Sequence, residues 1–373
     1  MRSPPLDGDT DRYHDSLPIG IVYERAMSPQ PIAVYGASGH TGQFVLRDLE
    51  LRGYPVIAIG RGQTPPSDRG GWDTRREWRH ASCDDPDLLD EALRGTGAVI
   101  NCAGPFLDTA PALIEAALRA GIHYFDVTAE QRSARQSLAT YDLEARQRGT
   151  VVVPAMAFYG GLGDLLAAAA IQGLEVIDDI EIGVALDYWH PTEGTRATGR
   201  RNSARRIVVS EGKWAPVPRP AVVREWLFPE PFGAQEVVPV PLSEVVTISK
   251  HIAARNIRSF MNSAPLRDLN NPGTPSPTAV DGSGRSSQRF VMDVQVRSAG
   301  RRTRALATGN DIYAVTGPIV VEACVRILEN PPGTGGAYAP AELFDAFSFL
   351  DGLAPHVAIT WPTDRSTDQC HRT

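Results

Sequence analysis

Three glycines, Gly36, Gly39 and Gly42, stand three residues apart directly behind the apolar run IAVY, and Arg61 follows the next apolar run, PVIAIG. A glycine closing a strand permits a tight turn, a second lets backbone approach a pyrophosphate, and a third lets helix and strand pack closely. Amides at the start of the helix then face the anion. The spacing is GxxGxxG rather than GxGxxG, so the weight comes from the order strand, glycines, helix, second strand. The chemistry is the holding of a dinucleotide. An acid after the second strand would bond a ribose 2′-hydroxyl, whereas an arginine accommodates a 2′-phosphate. Gly60-Arg61-Gly62 offers no acid, which favours NADP(H). A plain strand-to-helix turn and a surface arginine are the structural alternatives. Farther on, HASCDDPD puts Asp84 or Asp85 within reach of an adenine amino group, with N-capping the other role open to Asp85.

Reduction by hydride needs a proton source as well. No tyrosine is followed four residues later by lysine, so the tyrosine–lysine pair of classical short-chain dehydrogenases is absent. The polar candidates are Tyr124, Asp126 and Tyr159, with His123 beside them. Strand alternation sets Tyr124 and Asp126 on one face and His123 on the other. Core packing, a turn cap or a ribose contact are the other roles open to them. Cys102, inside AVINCAG, reads as buried packing rather than a nucleophile. The four cysteines Cys83, Cys102, Cys324 and Cys370 lie far apart, and no metal site is expected.

These residues need elements to hold them. At 373 residues the chain exceeds one comfortable core, since single cores rarely pass about 250 residues. Residues 31–174 alternate apolar runs (IAVYG, PVIAIG, AVINCAG, HYFDV, VVVPA) with helix-like stretches such as PDLLDEALRG and PALIEAALRAG. That pattern implies a parallel sheet covered on both faces. Residues 175–310 change to longer β-like stretches, IDDIEIGVALDYW, RRIVVSEGKW, REWLF, SEVVTIS and RFVMDVQVRS, which read as a substrate domain of largely antiparallel sheet. Trp189, Trp214 and Trp226 in it are candidates for an apolar wall against a sizeable substrate, with ordinary core the other role open to them. The Pro/Gly/Ser-rich stretch 264–287 has the composition of a long loop. Residues 311–373 are expected to pack back on the first domain through the helical stretch GPIVVEACVRILEN. Residues 1–30 read as a disordered extension, or as an overextended start with Met27 as the first residue. A formal charge of −7 disfavours nucleic-acid and membrane-surface roles. No apolar run approaches the roughly 20 residues of a membrane span. A cytoplasmic protein with a small-molecule substrate is expected, with a homodimer as the assembly to test.

VINCAGPF (99–106), GIHYFDVTAEQ (121–131) and VVVPAMAFYGGLGDLLA (151–167), in that order behind GASGHTG, resemble the saccharopine dehydrogenase-like family of NADP-binding oxidoreductases, which includes saccharopine reductases and trans-acting enoyl reductases. The closing segment 309–344 is similar to that of bacterial members. The resemblance implies an α/β Rossmann-type parallel sheet, a second α+β domain and a returning C-terminal helix. It implies Gly36, Ser38, Gly39, His40, Thr41 and Gly42 along the pyrophosphate, and Arg61 at the 2′-phosphate. Cys102, Ala103, Gly104, Pro105 and Phe106 would run beside the nicotinamide, with Asp126, Thr128 and Glu130 at the next strand end. AFYGGLGD departs from the family in lacking a proline before Asp164. The implied activity is NADPH-dependent reduction of a polarised C=C or C=N bond. The arginine-biased composition, in which only Lys213 and Lys250 are lysine, points to secondary metabolism or lipid modification. A non-catalytic NADP(H) sensor is the competing reading; it would bind both cofactor forms and oxidise neither.

Overall fold

The computed structural model describes residues 29–65, 73 and 76–361; the N-terminal extension expected over residues 1–30, Met27 included, lies almost wholly outside them. In β1 (Ile32–Tyr35), Ile32 and Val34 point to one side and Ala33 and Tyr35 to the other, and each pair is buried in its own core. Such burial on both faces requires helices above and below, which is why the strand reads as a continuous apolar run. The first sheet is parallel throughout. Its order is β15 (Gly336–Ala337), β6 (Val151–Val153), β5 (His123–Asp126), β4 (Ala98–Asn101), β1, β2 (Val56–Gly60), β3 (Glu77–His80). The switch between β1 and β4 is the crevice where doubly wound sheets bind ligands.

On one face lie α2 (Pro86–Ala92), α3 (Phe106–Ala120), α4 (Gln131–Thr140) and α5 (Asp142–Arg148). On the other, α1 (His40–Leu51), α6 (Gly163–Ala170) and α10 (Ile312–Glu329) form a middle layer shared with the second sheet. That sheet runs β10 (Arg224–Leu227), β11 (Ala234–Pro239), β12 (Ala254–Asn262), β7 (Ile177–Leu186), β13 (Arg289–Ser298), β14 (Arg301–Asn310), β16 (Val357–Thr360). The hairpin of β8 (Ile207–Ser210) and β9 (Lys213–Pro216) joins it at β12. Only the β7–β12 pair is parallel among these, so the expected fold class, a parallel α/β sheet with a largely antiparallel partner, holds. Helix α10 returns from the second sheet to lie against α1, with an added Cβ at Gly317 only 3.1 Å from the Phe44 carbonyl oxygen. One apolar core therefore joins the sheets, each large aliphatic side chain in it contributing about 1.5–3 kcal/mol.

Two local expectations are corrected. SEVVTIS is not a strand but α8 (Ser243–His251), with Val245, Val246 and Ile248 buried. A short apolar run has no clear period of its own, and packing between α4, α6 and the β8 edge decides for helix. The stretch 264–287 is not all loop, because α9 (Ser263–Asn270) takes its first third; Pro265 falls in the first turn, where a missing N–H costs nothing. Helix α7 (Glu193–Arg201) buries no residue of its own.

Candidate functional site

The site begins where β1 ends. Gly36 turns the chain with φ +78°, a conformation glycine takes without strain. Its carbonyl accepts the Gly39 N–H at 2.9 Å, and a Cβ added at Gly42 would lie 2.3 Å from that same oxygen, so α1 starts hard against the turn. Gly39 is the N-cap of α1 and carries no side-chain cap. The first-turn amides of His40, Thr41 and Gly42 are thus left for an anion, with Ser38 in the turn just before them. His40 lies edge-on to Phe44 and Tyr313, at 5.2 and 5.5 Å between ring centroids. Its Nε2 has no partner among the described residues, and burial holds its pKa below the ordinary value. Arg61 is exposed just past β2. Asp85 caps α2, accepting the Leu88 N–H at 3.1 Å.

Beyond the turn a cavity of about 690 Å³ opens at the carboxyl ends of β4 and β5, facing α7 and the first turn of α10. Cys102, Gly104 and Phe106 line it, while Ala103 and Pro105 complete the run without doing so. Ala103 packs on the glycine turn, its N 2.9 Å from a Cβ added at Gly36. Burial pushes the Cys102 thiol far up, which leaves it an inert packing group. Glu130 lines the cavity with Oε1 accepting the Phe106 N–H at 2.7 Å and Oε2 unpartnered among the described residues. That oxygen is free to accept a hydroxyl or amide of a bound molecule.

Of the three proton candidates, Tyr159 lines the cavity. It sits in a π-helical turn, Phe158–Leu162, after β6, an irregularity found often at functional sites. Its hydroxyl is buried with no partner among the described residues, and burial keeps its pKa well above the ordinary tyrosine value. Tyr124 and Asp126 do not line the cavity. Both are fully buried beneath the strand ends, on one face as alternation requires. The Tyr124 hydroxyl donates to Asp126 Oδ2 at 3.0 Å, and Asp126 Oδ1 accepts the N–H groups of Thr128 and Ala155 at 3.0 and 2.8 Å. The pair ties β5 to the loop after β6. Asp164, next to the family departure, is likewise buried and bonded, to His251 Nε2 at 2.7 Å and the Ala341 N–H at 2.9 Å.

Apart from Trp189, the facing wall is made of side chains that sequence reasoning missed. Tyr313 accepts from Trp189 Nε1 at 2.8 Å and bonds Thr195 Oγ1 at 2.9 Å. Its place is set by Asp311, the N-cap of α10, which stands at φ +62°. Asp311 holds that strained conformation through bonds to Tyr313 N, Ala314 N, Ser286 N and the Gln288 carbonyl. Helix α7 closes the top, lying so near that a Cβ added at Gly104 would come within 2.6 Å of Thr198 Oγ1, and Arg201 pairs with Asp108 of α3 at 2.8 Å. Of the tryptophans that the sequence offers as a wall, only Trp189 lines the cavity. Trp226 packs behind the second sheet and Trp214 is 43% exposed on β9. A capping aspartate before an apolar helix is a readable signal for α10; the direction Tyr313 faces is not.

Residues 32–153 match the family described as the saccharopine dehydrogenase NADP binding domain. Over 148 residues, 35% of this chain and 33% of the relative, the chain is 27% identical to a probable mitochondrial saccharopine dehydrogenase-like oxidoreductase of Arabidopsis thaliana. It is 28% identical over 141 residues, with the same shares, to a lipid droplet localized protein of Caenorhabditis elegans. The matched stretch thus spans about a third of the length of these curated relatives. Among solved structures, the saccharopine dehydrogenase (L-Glu forming) of Saccharomyces cerevisiae is similar with a TM-score of 0.62 at 12% identity, covering 90% of this chain and all of that one. That likeness is one of fold. NADP(H) is the cofactor of the first domain, and the uncapped helix start and the Gly36–Gly42 cradle fit its pyrophosphate.

Proposed function

We propose, from a first domain that is of the saccharopine dehydrogenase NADP-binding type, that this chain is an NADP(H)-dependent oxidoreductase acting on a polarised C=C or C=N bond of a small molecule. Residues 31–174 hold the cofactor and 175–310 wall the substrate. Bound NADPH supplies a hydride. The observation that carries the reading is the Tyr159 hydroxyl, buried and unpartnered in the cavity lining. A group kept protonated by burial is a donor rather than a base. Tyr159 gives its proton to the atom that gains the electron pair as the other end of the double bond takes hydride. The positive charge of nearby Arg206 steadies the phenolate until water returns the proton. Glu130 Oε2 orients the substrate or the nicotinamide ribose, and Trp189 and Tyr313 exclude water from above.

Calorimetric titration with NADPH, NADP+, NADH and NAD+, followed by absorbance assays of NADPH oxidation with imine and enoyl acceptors, tests this. The expected result is selective binding of the phosphorylated pair and turnover lost in Tyr159→Phe. Binding of both phosphorylated forms with no turnover of any acceptor favours the sensor. No described helix is long and apolar enough to cross a membrane, and we place the protein in the cytoplasm as part of the same proposal. A second copy of the chain is the partner to test by light scattering, with exposed Val222, Val223 and Leu227 as its contact.

A further inference from the structure

Beside the cleft, behind the loop that follows β5, lies a second hollow of about 250 Å³ that shares Ala129, Asn202, Ala204, Arg206 and Leu242 with it. Four arginines line this annex: Arg132 and Arg135, one turn apart on α4, and Arg205 and Arg206, leading into β8. No carboxylate belongs to its lining. Among the described residues Arg132, Arg135 and Arg205 have no ion pair; Arg205 donates only to the Val217 carbonyl at 3.1 Å. Arg206 lies near one acid, Glu244.

Like charges do not gather unaided. Here they are held together by Gln131, whose amide donates to the Ile207 carbonyl at 2.8 Å and accepts the Ile207 N–H at 2.9 Å. That two-point clamp joins the first turn of α4 to the β8 edge and fixes both arginine pairs around one space. The annex is not the place of the cofactor 2′-phosphate. Arg61 follows β2, whereas the annex follows β5, and β1 and β4 lie between them, three strand spacings or about 14 Å.

We propose that the annex is a subsite for a phosphoryl group carried by the substrate at an end remote from the reduced bond. A phosphoryl group brings about two negative charges and three acceptor oxygens, which match guanidinium forks on two facing elements better than a single carboxylate does. The proposal deepens the oxidoreductase reading and rests on it, giving the substrate a chemical class: a phosphate or diphosphate ester with its reducible bond in the larger cavity.

The test is calorimetric titration of inorganic pyrophosphate into the full chain saturated with NADPH, at constant ionic strength. One-to-one binding is expected, weakened at least about tenfold in R132Q/R135Q and unchanged in R61A, with succinate binding at least about tenfold more weakly. Displacement of NADPH by pyrophosphate, unchanged affinity in R132Q/R135Q, or equal binding of succinate would each overturn it. Arg132 and Arg135 are exposed, so the fold should survive; Arg205→Gln, on the opposite element, serves if it does not. Should NADPH fail to bind, the oxidoreductase reading falls. Pyrophosphate titration of the free wild type and R132Q/R135Q then still decides whether the annex binds phosphate.

Discussion

The two walls of the cleft are built on opposite plans. The wall at the first sheet is mostly backbone: the Gly36 turn, the uncapped start of α1 and the run Cys102–Phe106. The facing wall is side chain: Trp189, Thr195, Tyr313 and Arg206, from elements far apart in the chain. A backbone site demands particular residues at particular spacings, since a turn at φ +78° or an approach within 2.3 Å of a carbonyl excludes all but glycine. A side-chain site demands only that the right groups meet, and many sequences achieve that. Tyr159 follows β6 of the first sheet but resembles the second wall, since it offers the cavity one unpartnered hydroxyl.

Four substitutions sharpen or break this contrast. The largest effect is expected from Tyr159→Phe, which removes one oxygen and should slow NADPH oxidation about 10³-fold while NADPH affinity stays unchanged. Equal loss of both would make Tyr159 part of the cofactor wall. Asp126 tests whether the buried carboxyl serves the fold. Burial pushes its pKa up to about 6, against about 4 when unfolded. The folded state then holds the extra proton between those values, so stability falls as pH rises from about 4 to about 6, by about 3 kcal/mol in total. Urea unfolding of Asp126→Asn across that range should lack this slope; an unaltered slope would mean that another group causes it. Gly42→Ala should cost about 1–3 kcal/mol by overpacking and weaken NADPH, read by thermal melts with and without cofactor. Full tolerance would show that the turn relaxes and that the spacing is less strict than the contact implies. The smallest change is expected from Arg61→Ala: about tenfold weaker NADPH, near 1.4 kcal/mol, with NADH unmoved. An unchanged preference would sink the 2′-phosphate assignment.

The glycine turn, the parallel sheet and the return of α10 were legible because each leaves a local trace: glycine spacing, apolar strands between helices, and helical spacing through GPIVVEACVRILEN. SEVVTIS was misread because β-branched residues suit a strand until neighbours bury them on every side. Trp189 and Trp226 look alike in sequence, each within a β-rich stretch, yet one faces the cavity and the other donates to Asp293 at 2.7 Å behind the sheet. Which face a side chain takes is fixed by strand register and packing. Tyr313 is the extreme case, since its aim depends on the bonds that hold Asp311.

Strand β15 has a consequence in time. It pairs with β6, with the Gly336 N–H bonded to the Thr150 carbonyl at 2.9 Å, although roughly 180 residues are made between them. At synthesis rates of about 5–20 residues per second, the nascent sheet waits roughly 10–40 s with one flank unsealed, and the apolar side of α1 waits longer still for α10, with roughly 260 residues made between them. A ribosome stalled before residue 312 would carry a sheet open at one edge and a bare helical face, and its chain would be the aggregation-prone species of this protein.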